Sequence, residues 1–133
     1  MSDSFTAMVI DTVDGKQQAG FRQLTLADLP DHDVLVEVAF STVNYKDGLA
    51  VTGRGAIIRK FPLIPGIDLA GMVESSRDPG FKPGDRVVLN GFELSMTHHG
   101  GYAQRARVPA EWLVKLPDTI SAKDAMAIGT AGY

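Results

Sequence analysis

The chain has 133 residues, enough for one domain with a real core and too few for two ordinary ones. Hydrophobic residues make up 44% and charged residues 22%, the balance of a folded water-soluble protein, and the net charge of −3 argues against a nucleic-acid partner. Cysteine is absent, which excludes disulfides, thiolate-held zinc and thiol catalysis.

The N-terminus "MSDSFTAMVIDTVDG" carries Asp3, Asp11 and Asp14 and no apolar run of signal-peptide length. No window approaches the roughly 20 apolar residues of a membrane span, so a cytoplasmic location without membrane contact is expected. "FTAMVID" (5–11) reads as a strand. "GFRQLTLADLP" (20–30) alternates through Phe21, Leu24, Leu26 and Leu29 and stops at Pro30. "DVLVEVAFSTVN" (33–44) is the best strand in the chain: Val34, Val36 and Val38 share one face, and Leu35, Glu37 and Ala39 share the other. Asn44 then caps a short helix in "NYKDGLAVTG" that ends near Gly53 or Gly55.

"IDLAGMVESS" (67–76) returns to strand, with Gly71 marking a bulge or a close backbone approach. Pro83, Gly84 and Asp85 reverse the chain before the strand "RVVL". "GGYAQRARVPAEWLVKLP" (100–117) reads as two short strands broken at Pro109, and Ser121 caps a last helix with Asp124 at its third position. About six short strands and two or three short helices predict a β-rich α+β domain, a partly open β-barrel with short helices. No strand–helix–strand alternation and no G-x-G-x-x-G occur. "GRGAII" (53–58) is a poor phosphate cradle, since its third glycine is missing and no strand leads into it.

The order of "NYKDGLAVTG", "FPLIPGIDLAGMV", "PGDRVV", "GGYAQ" and "GTAGY" resembles the medium-chain dehydrogenase/reductase superfamily, over nearly the whole chain. The match is to its N-terminal GroES-like catalytic domain. The wording around 44–71 looks most like the zinc-free acryloyl-CoA reductases and quinone-oxidoreductase-like enzymes. The resemblance implies NADPH-dependent reduction of the carbon–carbon double bond of acryloyl-CoA to propanoyl-CoA. A zinc-free quinone or enone reductase is the alternative, and a free-standing GroES-like binding module the third reading. In this sequence Asn44 falls where zinc-dependent members place Cys, Ile67 where they place His, and Asp68 where they place Glu. An amide and an alkyl chain do not hold zinc, so no metal is expected.

By the same resemblance, Asn44, Tyr45 and Asp47 are the catalytic candidates. Tyr45, Lys46 and Thr130 are the candidates for touching the cofactor. Tyr45 is favoured most, through its ring against the nicotinamide and its hydroxyl toward substrate or cofactor; Lys46 and Asp47 also read as a local ion pair. Asp68 is expected to bind backbone amides beneath the cleft. Arg54, Arg59 and Lys60 form the sequence's basic cluster, and Arg59 and Lys60 are candidates for the phosphates of coenzyme A. On a strand the adjacent His98 and His99 would point to opposite faces, so no chelating pair is expected. His32 sits in a turn among acids, and Trp112 reads as a core or edge anchor.

The resemblance divides the chain into 1–126, the N-terminal part of the GroES-like domain, and 127–133, the start of a connection to a Rossmann domain. It therefore implies an N-terminal portion of a longer, homodimeric enzyme, inactive alone, with apolar surface where the rest would pack.

Overall fold

The computed structural model describes residues 4–54, 58–92 and 94–132, with the backbone alone for 129–132. It opens with a hairpin. β1 (Ser4–Val13) and β2 (Lys16–Thr25) pair antiparallel along their whole length. Asp14 and Gly15 turn between them with φ of 52° and 77°. Two positive φ values in a two-residue loop suit an Asp-Gly pair, because glycine has no Cβ and aspartate tolerates the left-handed region.

Phe5, Ala7 and Val9 of β1 are buried, whereas β2 is exposed almost throughout. The alternation expected over 20–30 breaks at Leu26–Asp28, which forms a 3₁₀ turn. Leu29 reaches the core, but Phe21 is 76% exposed. The reason is topological: β2 pairs with β1 alone, and no second layer among the described residues covers its outer face.

The second sheet contains β3 (Val34–Ser41), β4 (Asp68–Ser76), β5 (Arg86–Asn90), β6 (Arg105–Val108) and β7 (Val114–Lys115), in the spatial order β6-β3-β4-β5-β7 with every pairing antiparallel. Val34 and Val36 pack into its main core with Leu69, Val73, Val87 and Val108. Leu35 points the other way, against Phe5, Val9, Leu29 and Ile64. The first half of β3 is thus buried on both faces, because the hairpin covers the side away from the main core. Each such aliphatic side chain contributes about 1.5–3 kcal/mol on burial.

Gly71 lies where the β3–β4 register shifts between Val38 and Phe40. A Cβ there would stand 2.0 Å from the Glu37 carbonyl oxygen, so the close approach read from the sequence is present.

The two sheets meet along one side. Met8 N–H donates to the Tyr102 carbonyl at 2.9 Å and Gln104 N–H to the Thr6 carbonyl at 3.0 Å. Ile10 and Leu63 exchange backbone hydrogen bonds of 2.8 and 2.9 Å. The result is a partly open antiparallel barrel. Two helices complete it: α1 (Tyr45–Thr52) and α2 (Ala122–Gly132). Ser121 Oγ accepts the Asp124 N–H at 3.1 Å, and Ala125 and Met126 turn inward. α2 runs on without a break through residue 126. Pro109 separates β6 from β7 and opens a 3₁₀ turn, Ala110–Trp112. His98 and His99 lie in a loop rather than on a strand, pinned by a single bridge from Leu94 to His98.

Candidate functional site

β3 leads into an extended Asn44, and α1 begins at the next residue. Asp47, three residues after the cap, folds back. Its Oδ2 accepts the Asn44 backbone N–H at 2.9 Å, and its Oδ1 accepts the Ile67 N–H at 3.0 Å. The Asn44 side-chain amide donates to Asp68 Oδ2 at 2.8 Å and to Asp47 Oδ2 at 3.2 Å. Asp47 is 1% exposed and Asp68 is fully buried. One amide therefore joins two buried carboxylates, in a place where an unpaired charge would cost several kcal/mol. α1 closes at Gly53, whose φ of 74° suits glycine and whose N–H donates to the Leu49 carbonyl.

Beneath this network two glycine-bearing segments lie backbone to backbone. Gly101 N–H donates to the Gly66 carbonyl at 3.0 Å and Tyr102 N–H to the Pro65 carbonyl at 3.1 Å. A Cβ on Gly100 would stand 2.1 Å from the Gly66 carbonyl oxygen, and one on Gly101 would stand 2.3 Å from that of Asp68. The glycines permit a contact that no side chain could enter.

Tyr102 locks the arrangement. Its hydroxyl donates to the Thr42 carbonyl at 2.9 Å, and burial, followed by the negative charge of Asp47, raises its pKa well above the ordinary value. It remains a neutral donor. Sequence reasoning singled out no role for Tyr102; the signal was the pairing of "GGY" with "PGID", two segments of backbone-demanding residues.

The outward face differs. Tyr45 is 84% exposed. Lys46 Nζ rests 3.2 Å from Met96 Sδ, and no ion pair joins it to Asp47. Asp47 is turned inward, so the local pair considered from the sequence does not form. Arg54, Arg59 and Lys60 are exposed, and the Arg59 N–H donates to the Met96 carbonyl at 2.9 Å. The structure thus gathers Asn44, Asp47 and Asp68 into one buried cluster, with Tyr45 and Lys46 directed out of it. The Thr130 side chain and residues 55–57 of the glycine-bearing stretch lie outside the described residues.

A second corner holds the imidazoles. His98 is 9% exposed, stacked on His32 at 4.8 Å between centroids and edge-on to Trp112 at 5.0 Å. Its Nδ1 lies 2.8 Å from the His99 carbonyl oxygen, and burial pushes its pKa down to about 4. His99 Nδ1 accepts the Ile64 N–H at 3.0 Å. Trp112 also stacks on Phe92 and packs against the main core, as an anchor would. Among the described residues no group of three or more His, Cys, Asp and Glu side chains is placed to hold a metal ion. At the zinc position the donor set does not fit: Ile67 offers an alkyl chain, and the Asn44 amide is engaged with two carboxylates.

Residues 30–118 match the model of the alcohol dehydrogenase GroES-like domain. The chain is 52% identical over 131 residues to the acrylyl-CoA reductase AcuI of Ruegeria pomeroyi, covering 97% of this chain and 40% of that protein. It is 44% identical over 133 residues to the putative quinone oxidoreductase YhfP of Bacillus subtilis, covering 100% of this chain and 40% of that one. The fold superposes on the yhdH oxidoreductase of Salmonella enterica in complex with NADP with a TM-score of 0.93 and 50% identity, over 96% of this chain and 39% of that one. Bacillus subtilis yhfP with NAD bound gives a TM-score of 0.94 at 44% identity, over 98% and 40% of the two chains. The chain therefore spans about 40% of the length of these two relatives.

Proposed function

The chain belongs to the alcohol dehydrogenase GroES-like domain family of the medium-chain dehydrogenases/reductases, and from that membership we propose that it forms the substrate-side domain of a zinc-independent, NADPH-dependent reductase. Its reaction on this reading reduces the carbon–carbon double bond of an enoyl thioester, acryloyl-CoA to propanoyl-CoA. The observation that carries it is the amide between two carboxylates at the position of a zinc ligand. A zinc ion at that position would serve to polarise the oxygen of an alcohol or ketone. An α,β-unsaturated thioester is already electrophilic at its β-carbon, and hydrogen bonds suffice for the enolate.

NADPH, when bound, would supply the hydride that the β-carbon accepts, and the enolate so formed would take a proton from water at its α-carbon to complete the reduction. Tyr45 presents its ring as a wall against the nicotinamide and its hydroxyl to the thioester oxygen, where negative charge develops. Asn44 and Asp47 act from behind, holding the turn that aims Tyr45. Lys46 and Thr130 are assigned to the cofactor, and Arg59 and Lys60 to the phosphates of coenzyme A. The whole protein is read as a cytoplasmic homodimer, with residues 127–133 beginning the passage to a Rossmann domain. The exposed Phe21 and Phe40 belong on this reading to faces that the remainder of the protein covers.

A quinone or enone reductase is the second reading, favoured by the relatives of that name. NADPH oxidation by a protein of the relatives' full length, followed with acryloyl-CoA and with a benzoquinone, separates the two. We expect a kcat/KM higher for the thioester; the reverse order would overturn the thioester assignment. The 133-residue chain alone is expected to oxidise no NADPH with either substrate, since both of its described sheets are antiparallel and neither offers a phosphate-binding strand–helix turn. Turnover by the chain alone would refute the division of labour.

A further inference from the structure

A small cavity of about 170 Å³ is walled by Asp28, Lys60, Pro62, Thr97, His98 and His99 among others. It has room for roughly five waters, or for one phosphoryl group. Its wall continues through Met96 to the rim of the site above. Met96 is bonded twice: its sulfur accepts from Lys46 Nζ, and its carbonyl accepts from the Arg59 N–H. Thr97, the next residue, lines the cavity together with Lys60. The loop thus touches Lys46 through the Met96 side chain and Arg59 through backbone alone, while Lys60 lines the cavity itself.

No described acid neutralises them. The ion pairs among the described residues engage Arg22, Arg77, Arg105 and Lys115. A thioether is a weak, uncharged acceptor and leaves the Lys46 charge uncompensated. Asp28, the acid of the cavity wall, has its carboxylate turned to its own 3₁₀ turn, where Oδ2 accepts the Thr25 N–H at 2.8 Å. Burial depresses the pKa of both His98 and His99, and the charge on Lys60 adds a smaller push in the same direction at each.

We propose that Lys60, Thr97 and the His98–His99 corner, with Lys46 nearby on Met96, form a seat for a phosphate or diphosphate group. The seat rests on the reading that a phosphorylated ligand enters the cleft beside α1, and it unites residues assigned separately to cofactor and substrate. Ammonium and guanidinium groups bind phosphate oxygens by charge-assisted hydrogen bonds, stronger than neutral ones. An anion beside Lys60 also favours the charged form of each imidazole. His98 is faced by His32, His99 and Lys60, and His99 by Lys60 and Asp28, so a bound anion offsets the positive charge of Lys60 at both.

The test is a titration of the 133-residue chain with inorganic pyrophosphate, followed by NMR. Saturable shifts are expected at Lys60, Thr97, His98 and His99, with both imidazoles titrating at higher pH in the bound state. Lys46→Gln with Lys60→Gln should weaken binding at least about tenfold, the scale of one or two charged hydrogen bonds, whereas Lys82→Gln on a distant turn should leave it unchanged. Shifts that never saturate, or equal weakening by Lys82→Gln, would overturn the seat in favour of diffuse surface charge. Competition by coenzyme A and by NADPH then names the source of the phosphate, and either order upholds the seat. Pyrophosphate binding in a full-length protein that reduces no enoyl thioester would sink the proposed reaction and leave the seat standing. Thioester reduction with an unchanged KM in the double variant would do the opposite.

Discussion

Asn44 and Asp47 differ from Tyr45 and Lys46 in almost every physical respect, although the four are consecutive. Asp47 is 1% exposed and its oxygens are engaged by the backbone of Asn44 and Ile67; Tyr45 is 84% exposed and Lys46 leans on a thioether. The helical period places the third residue of α1 under the chain and the first over it. The inner pair spends its hydrogen-bonding capacity on the protein itself. The outer pair keeps its polar groups for something else. A site without a metal still needs its turn held, and here the inner pair, with Asp68 and Tyr102, supplies the constraint that ligands to a metal would otherwise provide.

The contrast is broken most severely at Asp47. Asp47→Ala leaves the Ile67 and Asn44 N–H groups without their acceptor, one of them in a buried setting, and should cost about 3 kcal/mol. Chemical denaturation checks it, and a loss below about 1 kcal/mol would mean that the carboxylate is not the support described.

The next effect is of pH. The pKa of His98 falls from 6.5 to about 4 on folding, so the unfolded chain takes up a proton first as pH falls between those values. Stability should therefore decline from pH 6.5 toward pH 4, by an amount that grows across the window. His98→Phe, which keeps the ring against Trp112, should flatten that profile; an unchanged slope would assign the loss to other groups.

Smaller still, Tyr102→Phe removes one hydrogen bond to the Thr42 carbonyl and should cost about 1 kcal/mol. A silent substitution would show that the ring alone seats against Gly66. Smallest, Tyr45→Ala should change stability by less than about 0.5 kcal/mol, as expected of an exposed side chain. Its effect belongs in ligand binding, and a large drop in melting temperature would move Tyr45 to the inner set.

Much of this was legible in advance where local chemistry decides. Asn44, Gly53, Gly71, Pro109 and Ser121 each mark a cap, a close approach or a break through their own backbone preference. Asp14-Gly15 carried the same kind of signal, an Asp-Gly pair for a two-residue hairpin loop, and reading it would have started β2 at Lys16. The exposure of Phe21 was not legible, because alternation reveals a face without revealing whether anything covers it.

The site divided in the same way. The missing zinc donors at Asn44 and Ile67 could be read residue by residue. That Asp47 points inward and Lys46 outward follows from Ile67 arriving beside α1, a contact 20 residues apart in sequence. The role of Tyr102 depends on Thr42, 60 residues away, and no local pattern encodes that. The neighbourhood of His98 is set by Trp112 and His32, distant in sequence, and no local pattern encodes it.

The most direct test of the inner and outer division is hydrogen exchange at the Ile67 amide, which donates to Asp47 Oδ1. It should be protected in the parent chain and equally protected in Tyr45→Ala. In Asp47→Ala it should exchange near the rate of an open loop, while the amide of Val73, bonded to the Asp85 carbonyl in the sheet, keeps its relative protection. Continued protection of Ile67 in Asp47→Ala, or its loss in Tyr45→Ala, would contradict the account.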